Sequence, residues 1–182
     1  MHSNDPERRT TPGQGLDIGC GSNKGAGCVG MDRLPFDGVD VVFDFDSGQP
    51  WPFADSSFDF IRAIHVIEHV ANPLHFFEEV HRIARPGCEV HLETPHYSSN
   101  NSWGDPTHVR HYSVDFLDVV ANGYLSYPKP KYKVTFKEIR FSGLLFTWPG
   151  WLISRMSRRK YEKYFAWIFP ASSVTVKASI LK

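Results

Sequence analysis

A short apolar run that stops on a pair of glycines, Leu16-Asp17-Ile18-Gly19-Cys20-Gly21, constrains this chain more than any other stretch in it. Three residues of buried-strand character followed at once by a tight turn mark a strand inside a sheet rather than on its edge. Comparable runs follow: Cys28-Val29-Gly30-Met31 ends before Asp32, and Val39 to Phe43 ends before Asp44. Phe58 to Ile64 gives a fourth strand. Asn72-Pro73 then supplies an N-cap with proline at the first helical position. Leu74, Phe77, Val80 and Ile83 keep helical spacing up to a stop expected at Pro86-Gly87. Glu89 to Glu93 reads as a fifth strand, Ser113 caps a helix running to Asn122-Gly123, and residues 131–141 and 173–181 alternate as sixth and seventh strands. Strands alternating with helices require right-handed crossovers, hence an α/β fold with a mostly parallel sheet covered on both faces. No helix of ordinary pattern separates the last two strands, which are expected to pair antiparallel.

With 182 residues and 41% of them hydrophobic, the chain suits one domain with one core and is too apolar for disorder. Residues 1–14 are polar and carry Pro6, Pro12 and Gly13, so they read as a loose arm before a domain at 15–182. Cys20, Cys28 and Cys88 form no CxxC pair, which excludes a disulfide scaffold or zinc ribbon and suits reduced thiols in a cytoplasmic protein. The start MHSNDPERRT has no apolar run, so no signal peptide is expected from it. The uncharged stretch between Arg140 and Arg155 is 14 residues, short of the roughly 20 that a membrane span needs. The zero net charge hides an asymmetry: residues 1–120 hold 18 of 20 acidic side chains but only 8 of 20 basic ones. Such a split orients a ligand or lets two halves attract, and the neutral total argues against a general nucleic-acid binder.

In an open α/β sheet, ligands bind beyond the carboxyl ends of the strands. Glycines there let a ligand approach the backbone, although a purely structural turn needs the same residues. Asp17, Asp32 and Asp44 stand at or beside successive strand ends. Three carboxylates around one crevice suit a ligand with hydroxyls, an amine and positive charge, and Asp32 is placed to accept bonds from ribose hydroxyls.

At these residues the chain resembles the class I S-adenosylmethionine-dependent methyltransferases of the type 11 kind. The resemblance rests on Leu16 to Gly21, on Asp32, on Asp44-Phe45, and on Trp51-Pro52-Phe53-Ala54-Asp55-Ser56-Ser57-Phe58-Asp59. It continues through Val66-Ile67-Glu68-His69-Val70 and Arg82-Ile83-Ala84-Arg85-Pro86-Gly87, and these matches run in order over residues 16 to about 123. It implies a Rossmann-like, seven-stranded, mostly parallel sheet with an antiparallel last strand and helices on both faces. It implies S-adenosyl-L-methionine as cofactor, with Gly19, Cys20 and Gly21 bordering its methionine part and Asp17 meeting its amino group directly or through water. By the same resemblance Asp32 holds the ribose, Arg33 flanks the adenine, Asp44 and Phe45 face the adenine edge, and His65 lies near the methionine moiety. Two departures stand out: Lys24 occupies the position of a third glycine, and Asp32 follows Asp17 by only 15 residues, which leaves room for a turn instead of a full helix.

Asp105-Pro106-Thr107-His108-Val109-Arg110-His111-Tyr112-Ser113 follows the fifth strand and resembles a segment of one branch of these enzymes. His108 and His111 are the candidate general bases for an acceptor hydroxyl, and Arg110 the candidate anion holder, with His96 and Tyr97 as further substrate-binding candidates. A structural reading has Asp105 and Ser113 capping turns and the histidines bonding backbone. Asp105, His108 and His111 are also of the types that ligate zinc, but the expectation takes no metal. Glu68-His69 reads as a polar pair orienting a loop, and His75, His81 and His91 are assigned nothing. Residues 141–170 interleave Phe146, Trp148, Trp151, Tyr161, Tyr164, Phe165, Trp167 and Phe169 with Arg155, Arg158, Arg159, Lys160 and Lys163. That mixture suits a lid packed over the pocket, the favoured reading, or peripheral contact with a membrane interface. The expected function is methyl transfer to an oxygen or nitrogen of a small, anionic or sugar-like acceptor. A non-catalytic module on the same fold is the alternative, and a nicotinamide oxidoreductase is disfavoured by Lys24.

Overall fold

In the computed structural model, residues 14–122 and 131–182 are described. Seven strands form one sheet in the order β3-β2-β1-β4-β5-β7-β6. They are β1 (Gly15–Ile18), β2 (Cys28–Asp32), β3 (Val41–Val42), β4 (Phe58–Ile64), β5 (Ala84–Pro95), β6 (Lys131–Arg140) and β7 (Ser173–Leu181). The first five pair parallel, and β7 runs antiparallel between β5 and β6. Both the fold class and the antiparallel end match the expectation. Leu16, Ile18, Met31, Ile61, Val90, Leu92, Val174 and Val176 are buried and, by the register of their pairs, share one face of the sheet, whereas Asp17, Arg62, His91 and Lys177 alternate onto the other.

Between β1 and β2 the nine residues 19–27 hold only turns, as the spacing anticipates. Gly19 sits at φ +61° and donates its N–H to the Met31 carbonyl, and a Cβ there would lie 2.5 Å from Val66 Cγ2. Only glycine fits that combination of left-handed backbone and close approach.

Between β4 and β5, α1 (Pro73–Ile83) starts at Asn72, whose side chain accepts the His75 N–H. Phe76, Phe77, Val80 and Ile83 form its buried face, while Leu74 points outward. The helix ends at Ile83, three residues before the expected stop. The carbonyls of Arg82 and Ile83 are taken by the N–H groups of Ser56 and Ser57, and Ala84 is already extended and paired with Phe58. Pro86-Gly87 therefore falls inside the irregular start of β5, where the register shifts.

The Trp51 to Asp59 run is held by α1. Glu79 accepts the Trp51 N–H at 2.6 Å and pairs with Arg82, whose guanidinium also donates to the Trp51 and Phe53 carbonyls and to Asp55. Trp51 packs edge-on against Phe76.

The remaining helices are α2 (Asn100–Gly104), α3 (Phe116–Asn122), α4 (Leu144–Met156) and α5 (Arg158–Tyr164), the last two standing between β6 and β7, where the sequence pattern indicates no ordinary helix. All but the last residue of the arm expected at residues 1–14, and the expected helix stop at Gly123, lie outside the described residues. No helix among the described residues is long and apolar enough to cross a membrane.

Candidate active site

Two clefts open beyond the carboxyl ends of β1, β2, β4 and β5 and meet at His65 and His69. The first, of about 220 Å³, is lined by Gly19, Asp32, Arg33, Leu34, Phe36, Asp44, Phe45, Asp46, His65, Val66 and His69. The second, wider and about 800 Å³, is lined by His65, Glu68, His69, Pro95, Asn101, Gly104, Asp105, Pro106 and His108. A further cavity of about 340 Å³ lies between β6 and α4, away from these strand ends.

In the first cleft, Asp32 is nearly buried at the tip of β2. Its carboxylate accepts the Gly21 N–H at 2.9 Å and the Leu34 N–H at 3.0 Å. Two backbone bonds fix its orientation and leave lone pairs for a ligand, since a carboxylate offers about four. Phe45 and Leu34 give the cleft apolar walls, and Asp44 and Asp46 its acidic rim. Asp46 is engaged in structure, accepting the N–H groups of Ala71 and Asn72.

Asp17, Cys20 and Gly21 are adjacent to this cleft without lining it. Asp17 is buried, accepts the Gly25 N–H at 2.7 Å and lies 3.2 Å from Arg62 Nε. Burial raises its pKa, against the pull of the Gly25 bond and the Arg62 charge. The Cys20 thiol faces the β2 backbone at Gly30, and burial raises its pKa too.

His65, at the junction, is one of two non-glycine residues at positive φ among the described residues (φ 56°), with its backbone N–H bonded to the Glu93 carbonyl. Residues held in this region cluster where function demands a special side-chain direction. Its Nδ1 lies 3.3 Å from Glu68, a hydrogen bond that raises the His65 pKa above 6.5 although burial opposes it.

The second cleft is built by two segments forty residues apart in sequence. Backbone N–H groups of Val109 and Arg110 donate to the Glu68 carbonyl, Arg110 donates to the Ala71 carbonyl, and the Tyr112 hydroxyl donates to the Ile67 carbonyl. This lacing carries His108 to the Glu68-His69 pair: the rings of His69 and His108 stand 4.6 Å apart, edge to face. The Glu68 carboxylate is 1% exposed and accepts the Thr94 hydroxyl at 2.9 Å. His69 Nδ1 lies 3.2 Å from the Thr107 carbonyl, and Thr107 in turn donates N–H and hydroxyl to Asp105, which lowers the Asp105 pKa.

The other expected substrate residues are placed elsewhere. His111 stacks on Trp103 at 3.6 Å and bonds Ser102, and it lines neither cleft. His96 is fully buried, with Nδ1 on Ser98 and Nε2 on Glu162, while the Tyr97 hydroxyl donates to the Glu162 carbonyl. Those two residues join β5 to α5. No described residue of 141–170 lines either cleft; Trp148, Trp151, Met156 and Trp167 there are exposed. What sequence reasoning missed is Glu68 and His69 as part of the site, since their nearness to His108 is a tertiary contact.

A family model described as a methyltransferase domain matches residues 6–131. A curated relative, an uncharacterized methyltransferase of Mycobacterium tuberculosis, is 33% identical over 108 residues, covering 50% of this chain and 41% of its own. A second, norajmaline N-methyltransferase of Rauvolfia serpentina, is 30% identical over 108 residues, covering 47% of this chain and 36% of its own. The chain thus spans well under half the length of these relatives. Among solved structures, the YcgJ protein of Bacillus subtilis superposes with a TM-score of 0.60 at 16% identity, covering 97% of this chain and 95% of that one. A SAM dependent methyltransferase from Archaeoglobus fulgidus gives 0.56 at 17% identity over 94% and 87%. At such identities these two structures speak for the fold.

Proposed function

The chain belongs to the methyltransferase domain family, and from that membership we propose that it transfers a methyl group from S-adenosyl-L-methionine to an oxygen or nitrogen of a small, anionic or sugar-like acceptor. The observation that carries this reading is the meeting of the two clefts at His65 and His69, one acidic and partly aromatic, the other wide and rich in imidazole.

The residues of the first cleft fit the cofactor's chemistry. Asp32, pre-oriented by two backbone bonds, accepts the ribose hydroxyls; Arg33, Asp44 and Phe45 border the adenine; Gly19 leaves the backbone bare beside the methionine part. Asp17, already engaged with Gly25 and Arg62, supports the turn that Gly19 and Gly21 form. When bound, the cofactor supplies the methyl group and the leaving sulfur. The protein's contribution is alignment of two ligands across the His65 junction.

In the second cleft, Glu68, His69 and His108 give an acceptor hydroxyl a basic, hydrogen-bonding environment. Arg110, exposed two residues after His108 though lining neither cleft, and the overall excess of basic residues beyond position 120 favour an anionic acceptor. Exposed to labelled S-adenosylmethionine and a panel of hydroxylated acids and sugars, the protein is expected to methylate an anionic member, and His108→Ala to lower kcat more than it raises cofactor Kd. Asp32→Ala is expected to weaken cofactor binding about tenfold or more, the loss of one charge-assisted bond. Turnover of neutral apolar acceptors alone would remove the anionic assignment; full affinity in a folded Asp32→Ala would remove the ribose assignment.

A further inference from the structure

We propose that Glu68, His69 and His108 form a binding site for a divalent transition-metal ion of the zinc class, on the floor of the wider cleft. One ligand-type atom from each of the three lies within 4.8 Å of the others, close enough for a small adjustment of side chains to bring them onto one ion. Two imidazoles with one carboxylate suit Zn²⁺, Co²⁺, Mn²⁺ or Fe²⁺ and disfavour Mg²⁺ and Ca²⁺, which prefer all-oxygen shells.

Three further observations point to a ligand rather than to a closed structural network. The His108 side chain is only 7% exposed, and its Nδ1 is buried with no hydrogen-bond partner among the described residues; its Nε2 is 3.7 Å from Asp105. A buried imidazole nitrogen left unpaired carries a desolvation cost that an ion would remove. His69 Nδ1 has two acceptors within reach, the Thr107 carbonyl at 3.2 Å and the Thr107 hydroxyl oxygen at 3.0 Å, whose own proton goes to Asp105; this favours the proton on Nδ1 and leaves the lone pair on Nε2, the arrangement usual behind metal-bound histidine. Glu68 is buried, and among the described residues its oxygens bond the Thr94 hydroxyl and His65, with no lysine or arginine paired to it. A buried carboxylate with so little positive charge around it attracts a cation.

Three protein ligands leave a coordination position open toward the cleft, as in zinc sites that act on substrates. An acceptor oxygen, from a hydroxyl or carboxylate, fits there. That role for the ion rests on the methyltransferase reading, whereas the binding of the ion does not. Asp105, joined to both His69 and His108 through Thr107 and its own carboxylate, stands as the residue that orients them.

The test is titration of chelator-treated full-length protein with Co²⁺, followed by its visible absorption bands, and with Zn²⁺ by calorimetry. One equivalent at micromolar affinity is expected. His69→Ala and His108→Ala are each expected to weaken it about tenfold or more, and His111→Ala, outside the cluster, to leave it unchanged. No binding up to millimolar ion overturns the proposal, as does full affinity in both folded cluster variants. The wild-type titration reads the result even where a variant fails to fold, and His69→Gln then replaces it. S-adenosylmethionine binding, measured on the same metal-free protein, reports on the methyltransferase reading separately.

Discussion

Glu79, within α1, and Glu68, just after β4, are both buried glutamates, and they sit in opposite kinds of surroundings. Glu79 faces the Arg82 guanidinium and the Trp51 N–H, and Arg82 uses its remaining donors on two backbone carbonyls and Asp55. Every strong donor in that cluster has an acceptor within the protein. Glu68 faces a hydroxyl and an imidazole, next to a histidine whose buried nitrogen has no partner among the described residues. A network that closes on itself serves architecture. One that leaves a charge and a lone pair over is shaped for something that arrives from outside.

The contrast is broken most forcefully at Arg82. Arg82→Ala leaves Glu79 buried without its cation and frees the Trp51-Pro52-Phe53 turn, so urea denaturation is expected to show a loss of about 3 kcal/mol. A change below about 1 kcal/mol would deny the network its architectural role. A similar, slightly smaller loss is expected for Gly19→Ala. Its φ of +61° and the 2.5 Å approach to Val66 oppose any side chain, at about 2 kcal/mol or more.

A pH titration of stability sharpens the comparison further. Burial alone would raise the Glu79 pKa, but Arg82 and the Trp51 N–H more than offset it and hold the group below its ordinary 4.5. A carboxylate with a depressed folded pKa stabilises the fold above its unfolded pKa and loses that contribution as pH falls through the folded value. The wild type is therefore expected to lose stability as pH drops below about 4.5, and Glu79→Gln to show a shallower acid slope with lower stability at neutral pH. An unchanged slope would contradict the pairing. The smallest effect is expected at Glu68→Gln in metal-free protein, under about 1 kcal/mol, because the amide still accepts from Thr94 and the only cation that loses a partner among the described residues is the half-exposed His65 imidazole. A loss as large as that of Arg82→Ala would put Glu68 among the structural residues as well.

The sequence carries the strands and α1 plainly, because apolar runs, an Asn-Pro start and the Gly19 turn are local features. Where α1 stops was not legible: Pro86-Gly87 is a strong local signal, yet Ser56 and Ser57, some twenty-five residues earlier, take the last carbonyls at Arg82 and Ile83. The Trp51 to Asp59 motif likewise gives no hint by itself that its recognisable pattern serves Arg82. In the site, Asp32 could be placed from its strand end, and His65 only through the family resemblance. His96 could not, since its burial depends on Glu162 in α5, and the pairing of Glu68-His69 with His108 depends on backbone lacing between distant segments. Histidines that look alike in sequence part ways once those contacts form: His108 enters the cleft, and His111 stacks on Trp103.

The most direct test of the account is calorimetric titration of the protein with S-adenosylmethionine and with S-adenosylhomocysteine. Micromolar binding of both, lost in Asp32→Ala, is the predicted result. No heat of binding for either up to millimolar concentration would contradict it, and would leave the acidic cleft as part of a non-catalytic module on a methyltransferase fold.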